Sequence, residues 1–131
     1  MGRSRRSAAD AGTRFERSMA DYLSAVLGDD AIDRQVTCGS KDKGDIRGLY
    51  LMGKGVAFEC KEYRGELHLP QWLKEAEAER ANKGAAYGVV CAKRKGTADP
   101  ADQYVCMTAE TFAAMLAGGP DNLEVYAWPR S

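Results

Sequence analysis

Residues 85–93, AAYGVVCAK, form a near-continuous apolar run of strand length. A strand with one wet face alternates apolar and polar residues. A run without alternation belongs to a central strand covered on both faces. A chain holding such a strand needs a layer for each side of its sheet, and the flanking sequence offers helices. In TRFERSMADYLSAVLG (residues 13–28), Phe15, Met19, Tyr22, Leu23 and Val26 share one helical stripe. Thr13 and Glu16 have capping-box spacing, and Gly28 is a stop. In LPQWLKEAEAERANKG (residues 69–84), Pro70 suits the first turn and Gly84 ends a run of strong helix formers. Thr108 caps AETFAAMLAGG, a third helix closed by glycines.

Further strands are expected at residues 32–37 (IDRQVT), in a hairpin over residues 45–61, at residues 102–108, and as an edge within NLEVYAWPRS at the C-terminus. The order α-β-β-β-α-β-β-α describes an α/β protein, a mixed central β-sheet flanked by α-helices. No repeat or long linker divides the 131 residues, so residues 11–131 are expected to form one domain. Residues 1–10 are expected to be a flexible arm, basic through Arg3, Arg5 and Arg6. With no apolar segment of a secretory signal there and no membrane-spanning run, the expected location is the cytoplasm.

The 19 basic residues are balanced by 19 acidic ones, which argues against coating nucleic acid by bulk charge but leaves a local basic face open. Basic residues cluster as Arg3, Arg5 and Arg6, as Lys41 and Lys43, and as Lys93, Arg94 and Lys95. Solvated loops and a polyanionic partner both account for such clusters. The cysteines, Cys38, Cys60, Cys91 and Cys106, contain no CxxC pair and read as reduced, mostly buried thiols rather than zinc ligands. The one histidine, His68, reads as a loop residue, and leaves no set for multi-histidine nuclease chemistry.

The hairpin GDIRGLYLMGKGVAFECK (residues 44–61) poses a problem of charge. Strand side chains alternate faces. The even positions Ile46, Gly48, Tyr50, Val56, Phe58 and Cys60 make a core face, while the odd positions include Asp45, Arg47, Glu59 and Lys61. A loop with an odd number of residues, such as residues 51–55, sets both odd sides on one face, with Asp45 and Glu59 opposite or diagonal. Two facing carboxylates repel unless a positive charge lies between them. A hard cation such as Mg²⁺ suits them, with the Cys60 carbonyl as a further oxygen. Lys61 shares that face and can stabilise a phosphate oxygen. These are parts for metal-assisted phosphodiester hydrolysis; an exposed, charged strand face is the other reading.

The GD…ECK pattern on consecutive strands resembles the core motif of the PD-(D/E)xK nuclease superfamily, with Gly44 in place of the motif's proline. RFERSMADYL resembles the first helix of that fold, and LPQWLKEAEAERANKGAAYGVVCAK the helix and strand after the motif. From about Gly12 to Leu116 the pattern is most similar to the archaeal-type Holliday junction resolvases and their phage relatives. The resemblance implies a restriction-endonuclease-like core and a Mg²⁺-dependent DNA endonuclease, with Mn²⁺ able to substitute. It also implies a homodimer cutting four-way junctions; flaps, duplex DNA, RNA, or a non-catalytic DNA-binding role are the alternatives. It makes Asp45 and Glu59 metal ligands, Lys61 the electrostatic group, Glu16 an outer ligand through water, and Gln71 a residue near the metal. Glu16 as a capping residue and Gln71 as a solvent-facing one stay open beside these roles. Arg47 is expected at a phosphate or in a salt bridge. Arg3, Arg5, Arg6, Lys41, Lys43, Arg64, Lys93, Arg94 and Lys95 are expected on DNA phosphates. Trp72, Tyr104 and Trp128 are candidates for a dimer interface or for the core.

Overall fold

The first helix starts earlier than expected. In the computed structural model, which describes residues 3–35 and 45–129, α1 spans Arg5–Leu27. Ser4 caps it, its side chain accepting the Ser7 N–H at 3.1 Å. The cap and the Arg- and Ala-rich RRSAADAG favour helix, so residues 5–10 are helical rather than a flexible arm. Thr13 and Glu16 lie inside the helix and form no capping box. Ala11, Phe15 and Met19, four residues apart, make its buried stripe, while Val26 is exposed. Gly28 closes the helix in the left-handed region (φ +62°).

The strands are β1 (Asp33–Arg34), β2 (Ile46–Arg47), β3 (Tyr50–Leu51), β4 (Lys54–Lys61), β5 (Tyr87–Ala92) and β6 (Tyr104–Cys106). They form one mixed sheet in the order β1-β2-β4-β5-β6, with β3 paired to the start of β4. Among the described residues only β4 and β5 are parallel, in register Glu59↔Val90 and Lys61↔Ala92. Helix α2 (Leu69–Lys83) connects them, as a parallel pair requires. Helix α3 (Ala109–Ala117) follows β6 and is capped by Thr108. The chain is therefore mixed α/β, with three helices and six strands among the described residues. The expected C-terminal edge strand is absent there: a short 3₁₀ turn at Pro120–Asn122 leads into exposed coil, with Tyr126 and Trp128 facing solvent. Lys41, Lys43, Cys38 and the end of the expected first strand lie outside the described residues.

All six residues of β5 are buried. On one face Phe15 and Met19 of α1 pack with Ile46, Phe58, Val89 and Cys91, and Met115 of α3 joins them. On the other, Trp72 and Ala76 of α2 pack with Val90 and Ala92.

The hairpin departs from the expected parity. Its turn is two residues, Met52 and Gly53, both at positive φ (50° and 79°), with Leu51 facing Lys54. That even loop alone would put the odd residues of β2 and β4 on opposite faces. Nearer the site, however, Ile46 faces Phe58. Between Ile46 and Tyr50 lie three residues; between Gly55 and Phe58 lie two. The extra residue is a β-bulge around Gly48 (φ +86°), and it restores the shared parity. The same bulge turns Tyr50 out to solvent, against expectation, and puts Leu49 into the core. Gly48 also lies against β1's entry, where a Cβ would fall 2.7 Å from the Ala31 carbonyl oxygen. Only glycine suits both constraints.

Candidate active site

A cavity of about 650 Å³ opens at the end of β4, between α1 and the following turn. Glu16, Asp45, Glu59, Cys60 and Lys61 all line it. Helix α1 contributes Ala8, Gly12 and Glu16, one turn apart on one side. The small residues leave the space, and nothing lies within 4 Å of where a Cβ on Gly12 would sit.

Asp45 precedes β2 and is fastened to β4 on either side of Glu59. Its N–H donates to the Phe58 carbonyl at 3.0 Å, and its Oδ2 accepts the Cys60 N–H at 2.5 Å. Its carbonyl accepts the Gln35 N–H at 2.8 Å, tying the site to the strand before it. The bulge makes this seating possible, because a one-residue slip would send Asp45 to the other face.

Glu59 is 7 % exposed, since both faces of β4 are covered. Lys61 lies two residues on, and its Nζ is 3.6 Å from Glu59 Oε1. A shorter contact comes from α2: Nζ donates to Glu75 Oε1 at 2.9 Å. Burial of Lys61 disfavours its charge, but the Glu75 hydrogen bond and the two neighbouring carboxylates outweigh it. Lys61 therefore titrates above an ordinary lysine, and at neutral pH it is an ammonium that acts by charge, not as a base.

Glu16 lines the cavity but is held by the strand side: Arg34 donates to its Oε1 through Nε at 3.1 Å and Nη2 at 3.0 Å. Cys60 contributes its backbone N–H to Asp45, while its thiol turns to the core. There a hydrogen bond to Cys91, aided by burial, pushes it well above the usual thiol range. Cys60, Cys91 and Cys106 are free thiols, the first and last half-buried and Cys91 buried.

Gln71 does not join the site. It is exposed and does not line the cavity. Trp72 takes the buried position next to it, which turns Gln71 outward, and Glu75, three residues after Trp72, reaches Lys61. Trp72 and Ala76 lie on the buried face of α2, and Glu75 borders it; the helix is too weakly amphipathic for its sequence alone to single out that face.

Arg3 reaches Glu62 at the end of β4, Nη1 to Oε2 at 2.8 Å, and lines the cavity. Arg5 and Arg6 are exposed on the first turn of α1, and Arg64 stands at the cavity mouth. Arg47 lies away from the cavity, exposed beside Asp33 at 3.9 Å, so of its two expected roles the salt bridge is seen. The loop after β5 uses two of its cations internally. Lys93 Nζ donates to the carbonyls of Arg94 (2.8 Å) and Thr97 (2.5 Å), and the Arg94 guanidinium stacks over Tyr104 at 4.8 Å. Lys95 is exposed. Of the three candidate interface aromatics, Trp72 is core, whereas Tyr104 and Trp128 are exposed.

The carboxylates of Glu16, Asp45 and Glu59 are oxygen donors of the kind a hard divalent cation takes. Among the described residues, no three His, Cys, Asp or Glu side chains are grouped so as to hold an ion. Glu16 turns to Arg34, Asp45 to the Cys60 amide, and Glu59 towards Lys61. Comparison with known proteins finds no match: no family model, curated protein or solved structure resembles this chain significantly. Among the described residues, no helix is long and apolar enough to cross a membrane.

Proposed function

We propose that this chain is a metal-dependent DNA endonuclease of the PD-(D/E)xK kind, with a restriction-endonuclease-like core, acting as a homodimer on four-way junctions. One observation carries the reading: Asp45, just ahead of β2, and Glu59 and Lys61 of the antiparallel β4 line the same cavity, and Glu16 from α1 lines it too. The β2–β4 pair, followed by α2 and the parallel strand β5, supports the fold assignment. Asp45 and Glu59, with the Cys60 carbonyl, are the residues that would hold Mg²⁺ or Mn²⁺; Glu16 would act through water. The ion would supply Lewis-acid activation of the phosphodiester. Lys61, charged and 12 % exposed, offers its ammonium to a phosphate oxygen where little water competes. Glu75 keeps that ammonium charged and placed.

The test is a synthetic four-way junction incubated in Mg²⁺ with wild type, Asp45→Asn and Lys61→Ala. Wild type is expected to nick two strands symmetrically, and either substitution to slow cleavage by at least about 100-fold. Equal cleavage by all three rejects the site. The counter-groups already facing the carboxylates favour a second reading, a DNA-binding module without catalysis. Tight junction binding with no cleavage in Mg²⁺ or Mn²⁺ establishes it.

A further inference from the structure

The turn after β4 forms the rim of the cavity, and its backbone is strained. Glu66 N–H donates to the Tyr63 carbonyl at 3.0 Å across a turn whose middle residues are Arg64 (φ +55°) and Gly65 (φ +90°). An arginine in the left-handed region is costly and persists only where its surroundings impose it. Here they do. Glu62 Oε1 accepts the Arg64 N–H at 2.9 Å, while its Oε2 accepts from Arg3. Gly65 lies so close to Lys95 that a Cβ would fall 2.7 Å from the Lys95 Cβ. The turn is fixed from two neighbouring segments.

What this turn holds is the ring of Tyr63. The ring lies 5.2 Å from Trp72 at 45° and 5.9 Å from His68 at 73°, and His68 and Trp72 are 5.4 Å apart. Trp72 is core, so the trio is anchored, yet Tyr63 is 46 % exposed and lines the cavity with Arg64 beside it. A half-exposed aromatic lining one cavity with the arginine that follows it in sequence offers a π-face to a base and a cation to its phosphate. Bases within a duplex are stacked on one another and present only their edges. Such a ring therefore serves a base that has left the helix.

Building on the nuclease reading, we propose that Tyr63 is a stacking platform for an unpaired nucleobase next to the reacting phosphate, with Arg64 on the adjoining phosphate. The cavity then selects DNA whose strand is single where it enters. The test is fluorescence anisotropy in EDTA, using a labelled 12-nucleotide single strand, a matching duplex, and a series of single strands with one abasic position each. Tyr63→Leu is expected to weaken single-strand binding by about 5- to 100-fold, and Tyr63→Phe to stay within about twofold of wild type. Wild type is expected to lose affinity at one abasic position, and Tyr63→Leu to be insensitive to it. The abasic series on wild type does not depend on any variant folding. No single-strand binding by wild type overturns the proposal, as does a duplex bound equally well, a flat abasic series, or a Tyr63→Leu protein that binds like wild type. A stacking signal without metal-dependent cleavage overturns the nuclease reading alone. Cleavage without the signal overturns the platform alone.

Discussion

Replacing Gly48 by alanine tests the link between fold and site, and its cost can be built from two separate penalties. The first is conformational. At φ +86° an L-residue pays roughly 1–2 kcal/mol relative to glycine. The second is steric: the new Cβ would sit 2.7 Å from Ala31 O and 3.1 Å from both Ala31 C and Ile32 Cα. All three are backbone atoms that cannot swing aside, so overpacking adds about 1–3 kcal/mol. The expected total is about 2–5 kcal/mol. Gly53→Ala is the control, since Gly53 also has positive φ (79°) but nothing within 4 Å of its Cβ position. It should lose only the first part, about 1–2 kcal/mol. Gly48→Asn separates the two penalties further, because asparagine tolerates the left-handed region but keeps the Cβ.

Urea unfolding reads the result. With a slope of about 2 kcal/mol/M, Gly48→Ala should shift the midpoint by about 1–2.5 M and Gly53→Ala by about 0.5–1 M. Amide hydrogen exchange then tells whether the site follows. The Cys60 N–H, which donates to Asp45 Oδ2, should exchange faster in Gly48→Ala than in Gly53→Ala. If the two alanine variants unfold together, the close approach to Ala31 carries no energy and the account of the bulge is wrong.

Two further outcomes follow from the electrostatics. Burial would raise the Glu62 carboxyl, but the Arg3 hydrogen bond and the Arg64 N–H outweigh it and hold it below the usual range. A lowered folded value stabilises the fold above the ordinary glutamate range, and the effect is lost as the pH falls through that folded value. Glu62→Gln should therefore cost about 1–2 kcal/mol at pH 7, a gap that closes in acid; thermal melts at both pH values check it, and a pH-independent gap refutes it. The Cys60 thiol, bonded to Cys91 and buried, should resist iodoacetamide at pH 8 in the native protein and react readily in urea. Peptide mass spectrometry decides this, and equal rates in both conditions would contradict the thiol's placement.

Much of the fold was legible because its signals are local. Pro70 and Gly84 bracket α2, Thr108 begins α3, and the unbroken apolar run of residues 85–93 contains a strand buried on both faces. Glu59 and Lys61 share a face by strand period alone. What was missed depends on pairs far apart in sequence. The two-residue turn and the bulge at Gly48 offset each other, so the expected face emerged from an unexpected register. Tyr50 shows the difference, exposed where parity alone buried it. The start of α1 lies well ahead of the capping-box spacing at Thr13, because Ser4 and its Arg- and Ala-rich sequel already favour helix. Gln71 was expected near the metal from motif position alone; the buried Trp72 turns it outward, and Glu75 reaches Lys61 instead.

The electrostatics around the cavity explain why a fold would keep so many carboxylates together. Glu16 meets Arg34 of β1, Glu62 meets Arg3 ahead of α1, and Lys61 stands between Glu59 and Glu75. An uncompensated charge here would cost several kcal/mol, so the protein needs these counter-groups whatever it acts upon. Arg34 holds Glu16 with two hydrogen bonds, whereas Glu59 Oε1 and Lys61 Nζ are 3.6 Å apart, beyond good hydrogen-bond range. The proposed chemistry asks Glu59 to turn its carboxylate from Lys61 to an ion. Lys61 would then keep Glu75 at 2.9 Å and remain charged beside the phosphate. The asymmetry between 2.9 Å and 3.6 Å thus makes Glu75, not Glu59, the carboxylate that fixes the lysine.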